Sequence, residues 1–356
     1  MSNKFVDVLK KPFWRNYANY FVILLATLVF GALSATGNLS MSNQFLLEEI
    51  AIAVMLALSL SMVVGFLGEL SLGHAGFMCV GAYLGGKVSA LLVAAMGGKA
   101  NSVPALLIAL LVGGLLAALF GFIIGLPALR LRGDYLAIVT LAFGEIVRSV
   151  FMNLPDKLFG GNLGLRTPRF GRAYLFIIAF VLVLACLAVT QNLMRSKHGR
   201  AIVSIKDNEI AARATGIDVT KYKLFVFTIS SFFAGIAGVL YSYTQSTVQS
   251  GKFDYNYSIE ILVMVVLGGM GSINGSMIAA ALITFLNVKL QTVLTGDMAV
   301  LRNLIYAAVL IVIVIYKNAP GLKGLREKYN FKALVAKLLS KKAAADEGEE
   351  AQDAKH

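Results

Sequence analysis

Hydrophobic and polar positions divide the chain into long apolar runs separated by short polar stretches. The runs lie near 20–36, 45–66, 75–96, 104–126, 134–152, 173–190, 223–243, 257–268, 275–294 and 302–316. Most approach the roughly 20 residues that a helix needs to cross a bilayer. They do not alternate polar and apolar as the strands of a membrane barrel do. The pattern predicts an all-α polytopic membrane protein of about ten segments, some broken by Gly-rich stretches. The run 257–268 is too short to span alone, so it is read as broken, re-entrant or continued into the next.

Composition agrees with this reading. Hydrophobic residues make up 58% of the 356 positions and charged residues 14%, with a mean hydropathy of +0.77. A soluble fold carries about 25% charged residues, and so few charges could not cover this much apolar surface. The net charge of +13 gathers between apolar runs and at the two ends, the distribution of the positive-inside rule and not of a nucleic-acid-binding face. No nucleic-acid partner is expected.

Lysine and arginine set the expected orientation. They cluster at the N-terminus (Lys4, Lys10, Lys11, Arg15), at Arg130 and Arg132, through the loop 195–222 and along the C-terminal tail. Ten helices with both termini cytoplasmic put all of these inside. The loop 153–172 disagrees, because Lys157, Arg166, Arg169 and Arg172 fall outside by this count. Ala32-Leu33-Ser34 has the form of a signal-peptide cleavage site, but a polar lead of about 19 residues is long for one, so the first run is read as an uncleaved helix. The domains expected are a cytoplasmic segment 1–19, a transmembrane permease domain 20–316 and a cytoplasmic tail 317–356. The tail starts as a basic amphipathic stretch suited to a lipid surface and ends charged and without aromatics.

Several chemistries are excluded. Each of the three Gly-Lys pairs lacks the following Ser or Thr of a P-loop, so ATP hydrolysis by that route is not expected of this chain. Cys79 and Cys186 are isolated in apolar runs, and His74, His198 and His356 form no metal motif. Neither a catalytic residue nor a metal or other cofactor is expected.

The loop 195–222, RSKHGRAIVSIKDNEIAARATGIDVTKY, reads as two short helices. The first covers about 199–206. The second starts after Asp207 or Asn208, has Glu209 in its first turn and stops at Gly216. Ile202, Ile205, Ile210 and Ala214 offer an apolar face. A helix this short is marginal alone: either it lies on its own membrane domain or it docks on another protein, with Ala211 and Ala212 allowing close approach and Glu209 and Arg213 supplying polar contacts.

Two apolar runs are interrupted, at Gly68-Glu69-Leu70-Ser71 and at Gly269-Met270-Gly271-Ser272. Irregular backbone at membrane depth is tolerated where protein or water covers it, and paired breaks point to a translocation path. Helices restarting after Ser71 and Ser272 would aim positive ends at an anionic group such as a carboxylate. Tight packing on small residues is the alternative, and it is the reading given to Gly113, Gly114, Gly121 and Gly125. The candidate path residues are Gly68, Ser71, Gly73, His74, Glu145, Gly269, Gly271 and Ser272. His74 is also readable as packing, and Glu145 as the partner of Arg148 one turn away. Glu69 is placed beside the first break and Glu260 near the outer end of its segment.

The string GRAIVSIKDNEIAARATGIDVTKYKLFVFTISSFFAGIAGVLYS resembles the coupling loop and following helix of the branched-chain amino acid permeases of bacterial ABC importers, the LivM type. LALSLSMVVGFLGELSLGHAGFMCVGA and YSIEILVMVVLGGMGSINGSMIAAAL resemble two further stretches of that family, and FGGNLGL resembles its extracellular Gly-Gly-x-x-Gly-Leu turn. Glu209, Ala211, Ala212 and Gly216 match the family's Glu-Ala-Ala…Gly motif, with an Ile inserted after Glu209. The resemblance spans roughly 45–316. It implies a multi-pass permease subunit of a bacterial cytoplasmic membrane, with two ATPase subunits docking at 195–222, a second homologous permease subunit and an extracytoplasmic solute-binding protein. The implied solute is a branched-chain amino acid, with urea or short amides as alternatives. An ion-coupled secondary transporter is the competing class; it would need intramembrane carboxylates such as Glu145 and gives no reason for the loop 195–222.

Overall fold

The computed structural model describes residues 12–293, apart from 37–38, 97–102, 132, 169, 171 and 246, together with isolated positions beyond 293. The expected segment at 302–316 and the tail 317–356 lie outside the described residues, apart from those isolated positions. The chain divides into two compact units, Val22–Val293 and Met1–Phe21 with Leu294–His356. Apart from the start of the first helix, all that follows concerns Val22–Val293.

The described residues are almost wholly helical. The helices are α1 (Pro12–Ala35), α2 (Met41–Leu60, continued as a π-helical stretch Ser61–Leu67), α3 (His74–Val80), α4 (Gly86–Ala95), α5 (Val103–Ala128), α6 (Asp134–Asn153), the single turn α7 (Asp156–Phe159) and α8 (Arg172–Arg195). There follow α9 (Lys197–Asp207), α10 (Glu209–Ala214), α11 (Val219–Thr244), α12 (Tyr255–Gly268) and α13 (Ile273–Val293). A π-helical turn, Gly81–Gly85, joins α3 to α4 as one span. Seven helices are long and apolar enough to cross a membrane, and Tyr20–Ser34 and Tyr255–Gly268 are shorter apolar helices. The protein is an all-α polytopic membrane protein. Nine of the expected runs coincide with apolar helices.

Helix position follows from which faces are apolar and what covers them. A helix apolar all round belongs in a protein core or in lipid, and α2 and α5 are the two cases. Along α2 the side chains of Met55, Leu56, Leu58 and Leu60 are fully buried, with α8, α11, α12 and α13 packed round it. On α5 the stripe Leu107, Leu111, Leu115 and Leu119 is exposed, as suits a lipid-facing surface. The opposite face of α5 carries Gly114, Gly121 and Gly125, where a Cβ would meet Phe232, Ser231 and Leu224 of α11. Small residues there let the two helices approach closely, the packing role expected of them.

The bundle has two distinct ends. At one, α9 and α10 run between α8 and α11 with Lys197, Arg200, Lys206, Arg213 and Lys221 on or beside them. At the other, beyond α11, a two-residue antiparallel pair joins β1 (Leu165–Arg166) to β2 (Thr247–Val248), with Leu165 opposite Val248. The Gly-Gly-x-x-Gly-Leu turn leads into β1, and Leu163 within it is 79% exposed.

Candidate functional site

The short helices at the basic end are fixed by local chemistry. Ser196 Oγ accepts from the N–H groups of His198 and Gly199 and opens α9. Asn208 Oδ1 accepts from Ile210 and Ala211 N–H at 3.1 and 3.0 Å and opens α10; of the two caps expected, Asn208 is the one used. At its other end, Ile217 N–H reaches Ala212 O at 3.1 Å and Gly216 N–H reaches Arg213 O at 3.1 Å. This paired closure needs a left-handed residue, and Gly216 has φ +85°. Asp218 then caps α11 by accepting from Lys221 N–H at 3.1 Å.

The apolar face expected of this loop is divided. Ile202, Ile205 and Ala212 are buried inside the chain, whereas Ile210 is 76% exposed and Ala211, Arg213, Ala214 and Gly216 are exposed with it. The surface α10 presents is therefore Ile210, Ala211 and Ala214. Ala212 is the anchor beneath it, because its place in the six-residue helix puts it against the bundle. Glu209 is also turned partly inward. It accepts from Arg213 Nη2 at 2.9 Å and from Lys223 Nζ at 3.2 Å.

Lys223 ties this loop to the first break. Its side chain is only 4% exposed, and its ammonium pairs with Glu69 as well as with Glu209. A buried cation is stable only when paired, and here the two carboxylates come from opposite sides of the joint. In the sequence Lys223 stands at the edge of the basic loop 195–222 and reads as one more of its surface charges. The available signal was its position in the buried stripe Val219, Lys223, Val226, Phe227 and Ser230. A second tie runs from Lys206 of α9, whose Nζ donates to Gly65 O at 2.7 Å. The stem of Lys206 lies over Gly68, where a Cβ would come 2.9 Å from Cγ.

The two breaks meet. Gly65, in the π-helical stretch, abuts Gly271: a Cβ on Gly65 would stand 2.8 Å from Gly271 N. Gly68, Gly269 and Gly271 all have positive φ, so each break turns on glycine. After Gly68 the chain is irregular as far as Gly73, and α3 starts at His74 rather than just after Ser71. The cause is Thr140 of α6, which accepts from Leu72 N–H at 3.0 Å and fills the space beside Gly73. In the first turn of α3, Ala75 N–H donates to Ser258 Oγ at 3.2 Å, so this donor is satisfied by protein. At the second break Ser272 Oγ accepts from Gly275 N–H at 3.1 Å, and Ser272 is exposed.

His74 and Ser71 are buried beside the first break. His74 Nε2 lies 3.0 Å from Ser59 Oγ and 3.3 Å from Ser230 Oγ. Ser59 donates its hydroxyl hydrogen to Leu56 O and Ser230 to Ser59 O, so Nε2 carries the hydrogen that both hydroxyls accept. Nδ1 is then buried with no partner, and Ser71 Oγ has none either. Two buried polar atoms without partners call for a water or a solute group. Glu145 is different: it pairs with Arg148 Nε at 2.8 Å on the same face of α6, and that pairing joins it to neither break. Among the described residues no group of acidic, His or Cys side chains could hold a metal.

Residues 44–314 match the family described as branched-chain amino acid transport system / permease component. The chain belongs to that family. The permease is 39% identical over 264 residues to the high-affinity branched-chain amino acid transport system permease protein LivM of Escherichia coli (strain K12), covering 65% of this chain and 60% of that protein. It thus spans about three-fifths of the length of that relative. A probable LivM of Methanocaldococcus jannaschii is 30% identical over 267 residues, covering 65% of this chain and 76% of that protein. The ribose import permease protein RbsC of Escherichia coli (strain K12) is 27% identical over 327 residues, covering 83% and 92%. No solved structure matches. A transport permease is a membrane subunit and not an enzyme, and the basic-end loop and the two breaks all fall within the matched residues.

Proposed function

We propose that this chain is the membrane-spanning permease subunit of an ATP-driven importer for branched-chain amino acids. Two ATPase subunits dock on the exposed face of α10, a second homologous permease completes the path, and an extracytoplasmic binding protein delivers solute to the end that carries β1 and β2. The basic end is then cytoplasmic. The observation that carries this reading is the linkage itself. An exposed six-residue helix, suited to a partner's groove, is joined through Lys223 to Glu69, and α9 beside it through Lys206 to Gly65, where the two breaks meet.

Movement of α10 by an ATPase closing on ATP would shift Glu209 relative to Lys223 and so bias the first break. Because Gly65 abuts Gly271, the second break follows. Alternating access then amounts to a change in which of two packings the paired breaks adopt. Ser71 and His74 Nδ1 supply polar positions for a solute passing the first break.

A second reading, a sugar as solute, is favoured by the RbsC relatives. Uptake into membrane vesicles containing the chain, its ATPases and its binding protein decides between them. Accumulation of labelled leucine with ATP, and not of ribose, is expected. Ribose accumulation would replace the solute assignment, and leucine uptake without ATP would contradict the importer reading.

A further inference from the structure

Glu145 and Arg148 stand in the middle of a membrane span. Their helix, α6, runs for 20 residues from Asp134, so Glu145 lies about 16 Å from its start and about 12 Å from its end at 1.5 Å per residue. The ion pair closes at 2.8 Å, yet the side chains of Glu145 and Arg148 remain 30% and 28% exposed. Ionisable groups at this depth are costly against lipid and almost always face protein or water. The described residues of this chain leave that cover incomplete.

A second observation separates this face from a lipid-facing one. Ile138, Ala142, Glu145, Ser149 and Met152 follow one another at alternating spacings of four and three residues, and all are exposed apart from the half-buried Glu145. That is the seam spacing of two helices wound left-handedly round each other. The buried residues of α6, Thr140, Gly144, Val147 and Phe151 among them, form its other face. The exposed stripe of α5 is a control within the same molecule: Leu107, Leu111, Leu115 and Leu119 are all bulky and carry no polar side-chain atom. On α6, Ala142 and Ser149 are small, which lets a neighbouring helix come close, and the acid sits between them.

We infer that this seam of α6 is the contact face for the second, homologous permease. The inference rests on the two-permease reading above and adds where the chains meet. A homologous partner related by a two-fold axis presents the corresponding helix, so the same patch serves on both sides. A seam with one acid and one base a turn apart is complementary to a counterpart of its own pattern. Glu145 then faces a base across the interface and Arg148 an acid, while the two stay paired with each other. Lipid tails offer neither a polar partner at this depth nor a surface shaped to the small residues. Between two chains the ion pair gains the protein cover that it lacks in one.

The test is photo-cross-linking in membranes of the full chain expressed with its neighbouring genes. A benzophenone side chain replaces Ile138, Ser149 or, as the lipid-facing control, Leu111. Irradiation should join the chain to the second permease from Ile138 and Ser149, and to lipid alone from Leu111. Ala142→Trp, at an exposed position, should lower the second permease recovered per mole of chain about tenfold or more at unchanged yield, whereas Leu111→Trp should leave the recovery unchanged. A second permease that co-purifies but cross-links only from Leu111, or lipid as the sole product from Ile138 and Ser149, would overturn the assignment of this face and leave the two-permease reading standing. A cross-link to a second copy of this chain, or to its own residues 294–356, would overturn it as well. A purified complex that holds no second permease would remove that reading, and the inference with it.

Discussion

Lys223 Nζ lies 3.2 Å from Glu209 Oε2 across the turn between α10 and α11, and the same ammonium pairs with Glu69 at the first helix break. One nearly buried cation therefore joins the exposed helix to the membrane-embedded break.

Removing that cation should cost more than losing two surface ion pairs. Glu69 and Glu209 are themselves only 13% and 23% exposed, and Lys223→Met takes from Glu69 the cation it pairs with, while Glu209 keeps Arg213. A destabilisation of about 3 kcal/mol is expected, the range for breaking a buried pair from one side. Adding Glu69→Gln should recover part of it. The measurement is a double-mutant cycle by thermal unfolding in detergent; strictly additive effects, within about 0.5 kcal/mol, would show that the bridge couples nothing.

The contact between breaks gives a second prediction. Gly65→Ala drives a methyl into the Gly271 backbone, and Gly271→Ala also forces an L-residue to φ +83°, at a cost of roughly 1–2 kcal/mol. Either change should bias the paired breaks apart and lower uptake by about tenfold while the chain still reaches the membrane. Full uptake by both variants would mean that the two breaks work independently.

Gly216 isolates backbone conformation from packing. Nothing lies within 4 Å of a Cβ there, yet φ is +85°. Gly216→Val should therefore reduce uptake through the turn alone, whereas Gly216→Asn, a residue that visits this region readily, should retain most of it. Equal loss in both would point to a contact of Gly216 with a partner instead of a backbone requirement.

The spans were legible because each is a long apolar run, and the short run 257–268 announced its own break: α12 ends at Gly268 and α13 starts four residues beyond Gly269. The caps of α10 and the left-handed turn at Gly216 were equally legible, since Asn208 and Gly216 are local signals. What could not be read was partnership across the chain. Thr140 delays the start of α3 from 68 positions away, and Lys223 finds Glu69 over a longer separation still. Glu49 lies near the start of the run 45–66 and so looks like an interfacial charge until Gln245 is brought beside it. Ile210 looked like one of four equivalent apolar residues, and only folding separates it from the buried Ile202 and Ile205.

That separation supplies the most direct test of the central claim, that α10 docks the ATPase. Ile210 is 76% exposed and belongs to none of the ion pairs described above, so Ile210→Glu should leave the fold intact. The chain would be tagged, expressed with its neighbouring genes and purified in mild detergent, and the co-purifying ATPase measured per mole of chain. The account predicts an ATPase pair with the unmodified chain, and a loss of about tenfold or more with Ile210→Glu at unchanged yield. An ATPase retained in full by the variant, or a chain that purifies alone and transports solute without ATP, would contradict it.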